Sequence, residues 1–135
     1  MTTVLFLEPR DGFRSEHANA LRSVGFDVIS VHDSTAALES LQTRVPKILI
    51  ARLDARTRDD HLGLCRHIKS DTRTKHISIL LATDAISGDD VRLATDLGVL
   101  VLALPPDNGA KLVAAVQGIL AGQRSKPLAP ATMGT

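Results

Sequence analysis

The 135-residue sequence contains no tryptophan, no tyrosine and only three phenylalanines, so aromatic residues make up 2% of it. Proteins that bind single-stranded nucleic acid stack the bases on aromatic side chains, and this chain offers few. The formal net charge is +1, from sixteen basic and fifteen acidic residues. This near balance of basic and acidic residues argues against nucleic acid or an anionic membrane as a partner.

Cysteine is nearly absent as well. Cys65 is the only one, which excludes an internal disulfide and favours a reducing compartment. No apolar run approaches the ~20 residues that a membrane-spanning helix needs. The sequence enters an apolar segment directly after Met1-Thr2-Thr3, without the pattern of a signal peptide. We therefore expect a cytoplasmic domain.

Several catalytic and ligand-binding motifs are also missing. There is no G-x-G-x-x-G or Walker-type loop to hold a nucleotide phosphate, and no G-x-S-x-G elbow for acyl transfer. His61, Cys65 and His67 lie close together in the sequence, but structural zinc sites draw their four ligands from separate segments. We interpret them as one core cysteine and two surface histidines. The sequence thus predicts neither an enzyme nor a metal site.

What the sequence does contain is a regular alternation of short apolar runs with amphipathic segments. The predicted strands are 4–7, 26–31, 48–51, 77–82 and 99–104, each followed by a segment with helical spacing. Such an alternation with short connections predicts an α/β domain, in which helices cover both faces of a doubly wound, five-stranded parallel sheet. We assign residues 1–122 to this domain and residues 123–135 to a flexible tail or the start of a linker.

Local signals fix some helix ends. Ser34 is predicted to cap the second helix, which has Leu38 on its inner face. Ser87, with Asp90 three residues later, predicts a capping box that opens the fourth helix, and Gly98 ends that helix.

The order of elements and several short motifs resemble the receiver domains of two-component response regulators. The resemblance covers residues 4–121 and is carried by Gly25, Asp33 with Ala37-Leu38, Pro46, Leu64-Cys65-Arg66, "HISILLAT", Leu97-Gly98 and Pro106. Receivers have the flavodoxin-like (βα)5 fold, so the resemblance implies the strand order 2-1-3-4-5.

The resemblance also implies where the phosphorylation pocket of a receiver would lie. Its magnesium-binding acids correspond to Glu8 and Pro9, its phosphoaccepting aspartate to Arg52, and its lysine to Pro105; only the hydroxyl of Thr83 matches. A guanidinium is no nucleophile, and one glutamate beside a proline supplies few oxygen ligands for magnesium. We therefore expect no phosphorylation, no magnesium binding and no other cofactor.

Our first interpretation is a pseudo-receiver, which acts through protein contacts in bacterial two-component signalling without being phosphorylated. One alternative is a working receiver that uses Asp54, which would require the third strand to be shifted by two residues. Another is a small-molecule sensor that binds its ligand in the pocket at the switch point of the sheet.

Two features of the degenerate pocket remain open from the sequence. The Arg52 side chain could pair with Glu8, Asp11 or Asp54, or extend into solvent. A cis or strained peptide bond is expected near Pro105-Pro106, because the lysine–proline bond of receivers is typically cis.

A surface for partners is predicted on the fourth helix, the fifth strand and the fifth helix. The run Leu100-Val101-Leu102 belongs to an edge strand, and Leu102 replaces an aromatic residue of the receiver switch. Edge strands with exposed apolar area often form interfaces. We expect a protein partner or a second copy to dock here, with Arg92 and Asp96 at the polar rim.

Overall fold

The computed structural model describes residues 2–104 and 109–124. Five strands alternate with five helices, as the sequence predicts. The strands are Thr3–Leu7 (β1), Asp27–Val31 (β2), Ile48–Arg52 (β3), Ser78–Thr83 (β4) and Leu100–Ala103 (β5). The helices are Asp11–Ser23 (α1), Ser34–Thr43 (α2), Arg58–Ser70 (α3), Gly88–Leu97 (α4) and Ala110–Arg124 (α5).

All five strands are parallel and lie in the order β2-β1-β3-β4-β5, which confirms the predicted topology. The central strand β3 is buried at every position, because helices cover both faces of the sheet. Alternate side chains of the strands therefore enter two separate layers of the core.

One layer lies under α2, α3 and α4, and the other lies under α1 and α5. Leu5, Leu49 and Leu81 point into the first layer, together with Leu41, Cys65 and Ala94 from the helices. Phe6, Ile50 and Leu80 point into the second, together with Leu21, Leu112 and Val116. Most of these side chains are aliphatic, which fits the low aromatic content of the chain.

The predicted start of α4 is confirmed, but that of α2 is not. Ser87 accepts a hydrogen bond from the Asp90 N–H while Asp90 accepts one from the Ser87 N–H, and Gly98 ends the helix in the left-handed conformation with φ 69°. The cap of α2 is Asp33 instead of Ser34, since the Asp33 carboxylate accepts from the Ala36 N–H at 2.8 Å. Leu38, predicted to face inward, is 38% exposed.

Two predictions concern residues outside the described ranges. The peptide geometry near Pro105-Pro106 and the pocket position of Pro105 fall within 105–108. The predicted tail begins at 123, yet α5 extends to Arg124, and residues 125–135 lie outside the description. Within the described part, no helix is both long and apolar enough to cross a bilayer.

Candidate functional site

The candidate site lies at the carboxyl ends of β1, β3 and β4. Ile48, Ile50 and Arg52 alternate along β3 toward the layer under α1 and α5, because side chains of a strand repeat with a period of two. In the neighbouring strand, Phe6 pairs with Ile50, so Glu8 continues the same row next to Arg52. The strand register itself thus places an acid and a base side by side at this edge of the sheet.

The Arg52 side chain is buried among these strand ends and is only 1% exposed. Its Nε donates to Oε1 of Glu8 at 2.8 Å, and its Nη1 donates to Oδ1 of Asp84 at 2.9 Å. The guanidinium carbon also lies 4.8 Å from the ring centroid of Phe13 in α1. Of the two placements that the sequence left open, the structure has the paired one, and the side chain does not extend into solvent.

The partners of Arg52 agree only in part with those considered from the sequence. Asp11 accepts from Arg14 at 2.7 Å instead, and Asp54 is used within its own loop. Asp84 was not considered as a partner, although it directly follows β4, the strand beside β3. The predicted strand order places β4 beside β3, and this could have identified Asp84 as a candidate partner of Arg52.

Glu8 is fully buried and accepts from two guanidinium groups. Besides the bond from Arg52, Oε1 accepts from Arg10 Nη2 at 3.0 Å, and Oε2 accepts from Arg10 Nε at 3.3 Å and from the Arg10 N–H at 3.1 Å. The hydrogen bond to Glu8 raises the pKa of Arg10, against the smaller effect of its partial burial. Arg10 also lies over Phe13, at 4.2 Å from the ring centroid. Sequence reasoning did not single out Arg10 as part of the site.

This arrangement does not fit the magnesium site of a receiver. Magnesium needs several oxygen ligands in octahedral order. Both carboxylate oxygens of Glu8 accept from arginines, and Pro9 has no side-chain oxygen. Among the described residues, no group of three or more histidine, cysteine, aspartate or glutamate side chains could hold a metal ion.

Asp54 lies in the loop after β3, where it organises the turn into α3. Its Oδ1 accepts from the Arg56 N–H at 2.9 Å and from the N–H and hydroxyl of Thr57, both at 3.0 Å. Partial burial would raise the pKa of Asp54, but these hydrogen bonds and the nearby Arg52 charge lower it overall. β3 has no two-residue shift, since Arg52 pairs with Ala82 at the end of β4.

Two further side chains lie beside the network. Thr83 is buried, and its hydroxyl donates to the Ala85 carbonyl at 3.3 Å. His61 of α3 is buried, and its Nδ1 donates to the Arg52 carbonyl. The prediction that His61 lies at the surface was therefore wrong, whereas His67 is exposed and Cys65 is buried as predicted. The error arose because helical spacing alone did not show that the first turn of α3 abuts the end of β3.

The apolar side chains of the predicted partner surface are distributed differently from the expectation. Leu100 and Leu102 pack against the layer under α1 and α5, and Val101 packs against the opposite layer. All three are only partly buried. The large apolar side chains exposed nearby belong to α4 and its preceding loop, where Val91 is 49% and Ile86 43% exposed.

The polar residues predicted at the rim of this surface are both exposed on α4. Arg92 Nη1 lies 3.7 Å from Oδ1 of Asp89, and each of these side chains is more than three-quarters exposed. Asp96 is exposed near the end of the helix. Both are therefore accessible to a partner.

Solved structures that are similar in fold to this chain include response regulators and a receiver domain. A response regulator from Thermotoga maritima has a TM-score of 0.78 and 18% sequence identity, covering 90% of this chain and 98% of its own. A two-component response regulator from Clostridium difficile has the same score and identity, covering 93% of this chain and 100% of its own. The chemotaxis protein CheY4 of Vibrio cholerae has a TM-score of 0.77 and 19% identity, covering 88% and 98%.

Comparison of the sequence alone with known proteins found no match. No protein-family model matches the chain, and neither does any curated protein. At 18 to 19% identity, the similarity to the solved structures is one of fold. The chain has the flavodoxin-like (βα)5 fold of response-regulator receiver domains, with an arginine at the end of its third strand.

Proposed function

We propose that this protein is a pseudo-receiver, a receiver-like module of two-component-type signal transduction that acts through protein contacts without being phosphorylated. The observation that carries the proposal is the burial of Arg52, paired with Glu8 and Asp84, at the end of β3. In the receiver resemblance this is the position of the phosphoaccepting aspartate. A guanidinium there offers no nucleophile for phosphoryl transfer.

The charges around Arg52 support the loss of magnesium as well. The guanidinium contacts Glu8 and lies at the place where a receiver would gather acids around a divalent cation. A magnesium ion would have to displace Arg10 and Arg52 from Glu8, and each is held by charge-assisted hydrogen bonds. The cationic side chain thus makes electrostatic contacts with this edge of the sheet in place of a metal.

Asp54 remains the alternative phosphoacceptor, and the structure gives reasons against it. It lies two residues beyond the end of β3, and its Oδ1 accepts three hydrogen bonds within the loop. A nucleophilic oxygen would have to give up bonds that order the start of α3. We therefore propose that Asp54 is a loop-stabilising residue.

The test is incubation with acetyl phosphate and magnesium, followed by intact-mass measurement. We expect no phosphoryl adduct on the wild type or on Asp54→Asn. A phosphoryl adduct on the wild type that is lost in Asp54→Asn would overturn the proposal in favour of a working receiver.

The partner surface belongs to this proposal. We propose that a protein partner or a second copy docks on α4, β5 and α5, with Arg92 and Asp96 at its edge. The exposed Val91 and Ile86 would supply apolar contacts, and exposed apolar patches often mark interfaces. The net charge of only +1 gives no support for nucleic acid as the partner.

A further inference from the structure

Among the described residues, one nitrogen of the buried Arg52 guanidinium has no hydrogen-bond acceptor. Nε donates to Glu8 and Nη1 to Asp84, but Nη2 is buried and has no partner in the described part of the chain. A buried donor without an acceptor is costly, and more so when it is charged. Water has little access to this nitrogen, because the Arg52 side chain is only 1% exposed.

The contact with Asp84 is geometrically incomplete. Arginine and carboxylate groups favour two parallel hydrogen bonds, from Nη1 and Nη2 to the two oxygens of one anion. Asp84 supplies a single oxygen to Nη1, and Nη2 has no acceptor within residues 2–104 and 109–124. The Arg52 guanidinium therefore has the geometry to bind an oxoanion, and Asp84 uses only Nη1 of the two terminal nitrogens.

Asp84 is also the accessible member of the network. Its side chain is 74% exposed and lies on the loop between β4 and α4, while Glu8 on the other side of Arg52 is 1% exposed. An anion arriving from solution would therefore compete with Asp84 and leave Glu8 in place.

When Asp84 moves away, Arg52 loses the carboxylate that faces its Nη1. Glu8 then remains hydrogen-bonded to the two guanidinium groups of Arg10 and Arg52. Arg10 is 47% exposed, so its guanidinium is available to contact the ligand from the surface. Both guanidinium groups contact the Phe13 ring, which holds them near each other.

We propose that the Nη1–Nη2 edge of Arg52 is a binding site for an oxoanion, a carboxylate or a phosphate group, and that Asp84 is its built-in competitor. Binding replaces the single bond from Asp84 by two bonds to the ligand and releases the loop that precedes α4. This goes beyond the pseudo-receiver proposal by naming a ligand class and a reversible binding step. It does not involve a covalent adduct.

The site is tested by NMR titration of the intact protein with sodium phosphate and, separately, with sodium acetate at constant ionic strength. We expect saturable and reversible shifts at the Arg52 side chain and at Asp84–Ser87. Asp84→Ala should bind at least tenfold more tightly, since an internal competitor lowers the apparent affinity by the fraction of time that it leaves the site open. A stronger response to phosphate or to acetate identifies which oxoanion the site prefers.

Two variants serve as controls. Asp89→Ala removes another α4 carboxylate, one paired with the exposed Arg92, and should titrate like the wild type. Glu8→Gln/Arg52→Met removes the receptor without leaving a buried unpaired charge, and should not bind. Saturable binding by this double variant, no tightening in Asp84→Ala, or no saturable response of the wild type would each overturn the proposal. None of these outcomes changes the intact mass, so they are distinct from phosphorylation of Asp54.

Discussion

The Nε of Arg52 lies 2.8 Å from Oε1 of Glu8, and both side chains are 1% exposed. Two opposite charges buried at this depth depend on each other, because each offsets part of the cost of desolvating the other. The pair joins β1 to β3 at the edge of the sheet where the candidate site lies.

Removal of Arg52 alone should destabilise the protein strongly. We expect Arg52→Met to lower the free energy of unfolding by up to about 3–5 kcal/mol, since Glu8 loses its buried counter-charge and keeps only the half-exposed Arg10 as a partner. Glu8→Gln/Arg52→Met should recover most of that loss. Urea denaturation of the three proteins measures both effects.

The matched control for this prediction is an exposed ion pair. Arg44 pairs with Asp27 at the surface, with both side chains more than a third exposed. Arg44→Met should cost less than about 1 kcal/mol. Equal losses for Arg44→Met and Arg52→Met would contradict the role assigned to burial.

The capping carboxylate of α4 should make stability depend on pH. Desolvation would raise the pKa of Asp90, but hydrogen bonds from Ser87 and Arg58 lower it overall. A lowered folded-state pKa stabilises the protein above the unfolded-state value of about 3.9, and that stabilisation is lost as the pH falls through the folded-state pKa.

Asp90→Asn is therefore expected to cost about 1 kcal/mol at neutral pH, the usual size of a capping effect. The difference from wild type should shrink as the pH is lowered below about 4, where the wild-type carboxylate also becomes protonated. Urea denaturation across this range measures it. Asp89→Asn changes an exposed neighbour, and a pH dependence of the same size in that variant would contradict the prediction.

Two glycines should respond to alanine in opposite directions. Gly109 has φ 89°, and an added Cβ would lie 2.5 Å from the Cβ of Ala20, so Gly109→Ala should destabilise by about 1–3 kcal/mol. Gly63 lies within α3 with nothing within 4 Å of an added Cβ, so Gly63→Ala should stabilise by about 0.5–1 kcal/mol. Thermal unfolding distinguishes the two. A Gly109→Ala variant as stable as the wild type would contradict the close approach to α1.

The partner surface is tested by sedimentation. If a second copy docks on α4, Val91→Asp should weaken self-association at high concentration, because it places a charge in the apolar contact. Val45→Asp, at a 45% exposed position between α2 and β3, should leave association unchanged. A wild-type monomer at all concentrations would exclude the homodimer and leave only a different protein as partner.

The fold itself was determined largely by the sequence. The alternation of apolar strands with amphipathic helices, the capping box of Ser87 with Asp90 and the terminating Gly98 are local signals, and local spacing sufficed to place them. The position of Arg52 at the end of β3 followed in the same way, because strand length and register depend on burial of Ile48 to Ala51.

What only the tertiary structure decided is which side chains meet. Asp84 reaches Arg52 across 32 residues of sequence, and His61 is buried because α3 begins against the end of β3. Leu38 was assigned wrongly for a related reason, since helical period alone cannot show how α2 is rotated on the sheet. The cap of α2 is a local error of one residue, because Asp33 and Ser34 are both residues that favour this position. Burial of an arginine depends on partners from separate strands at once, and that convergence exists only when the chain is folded.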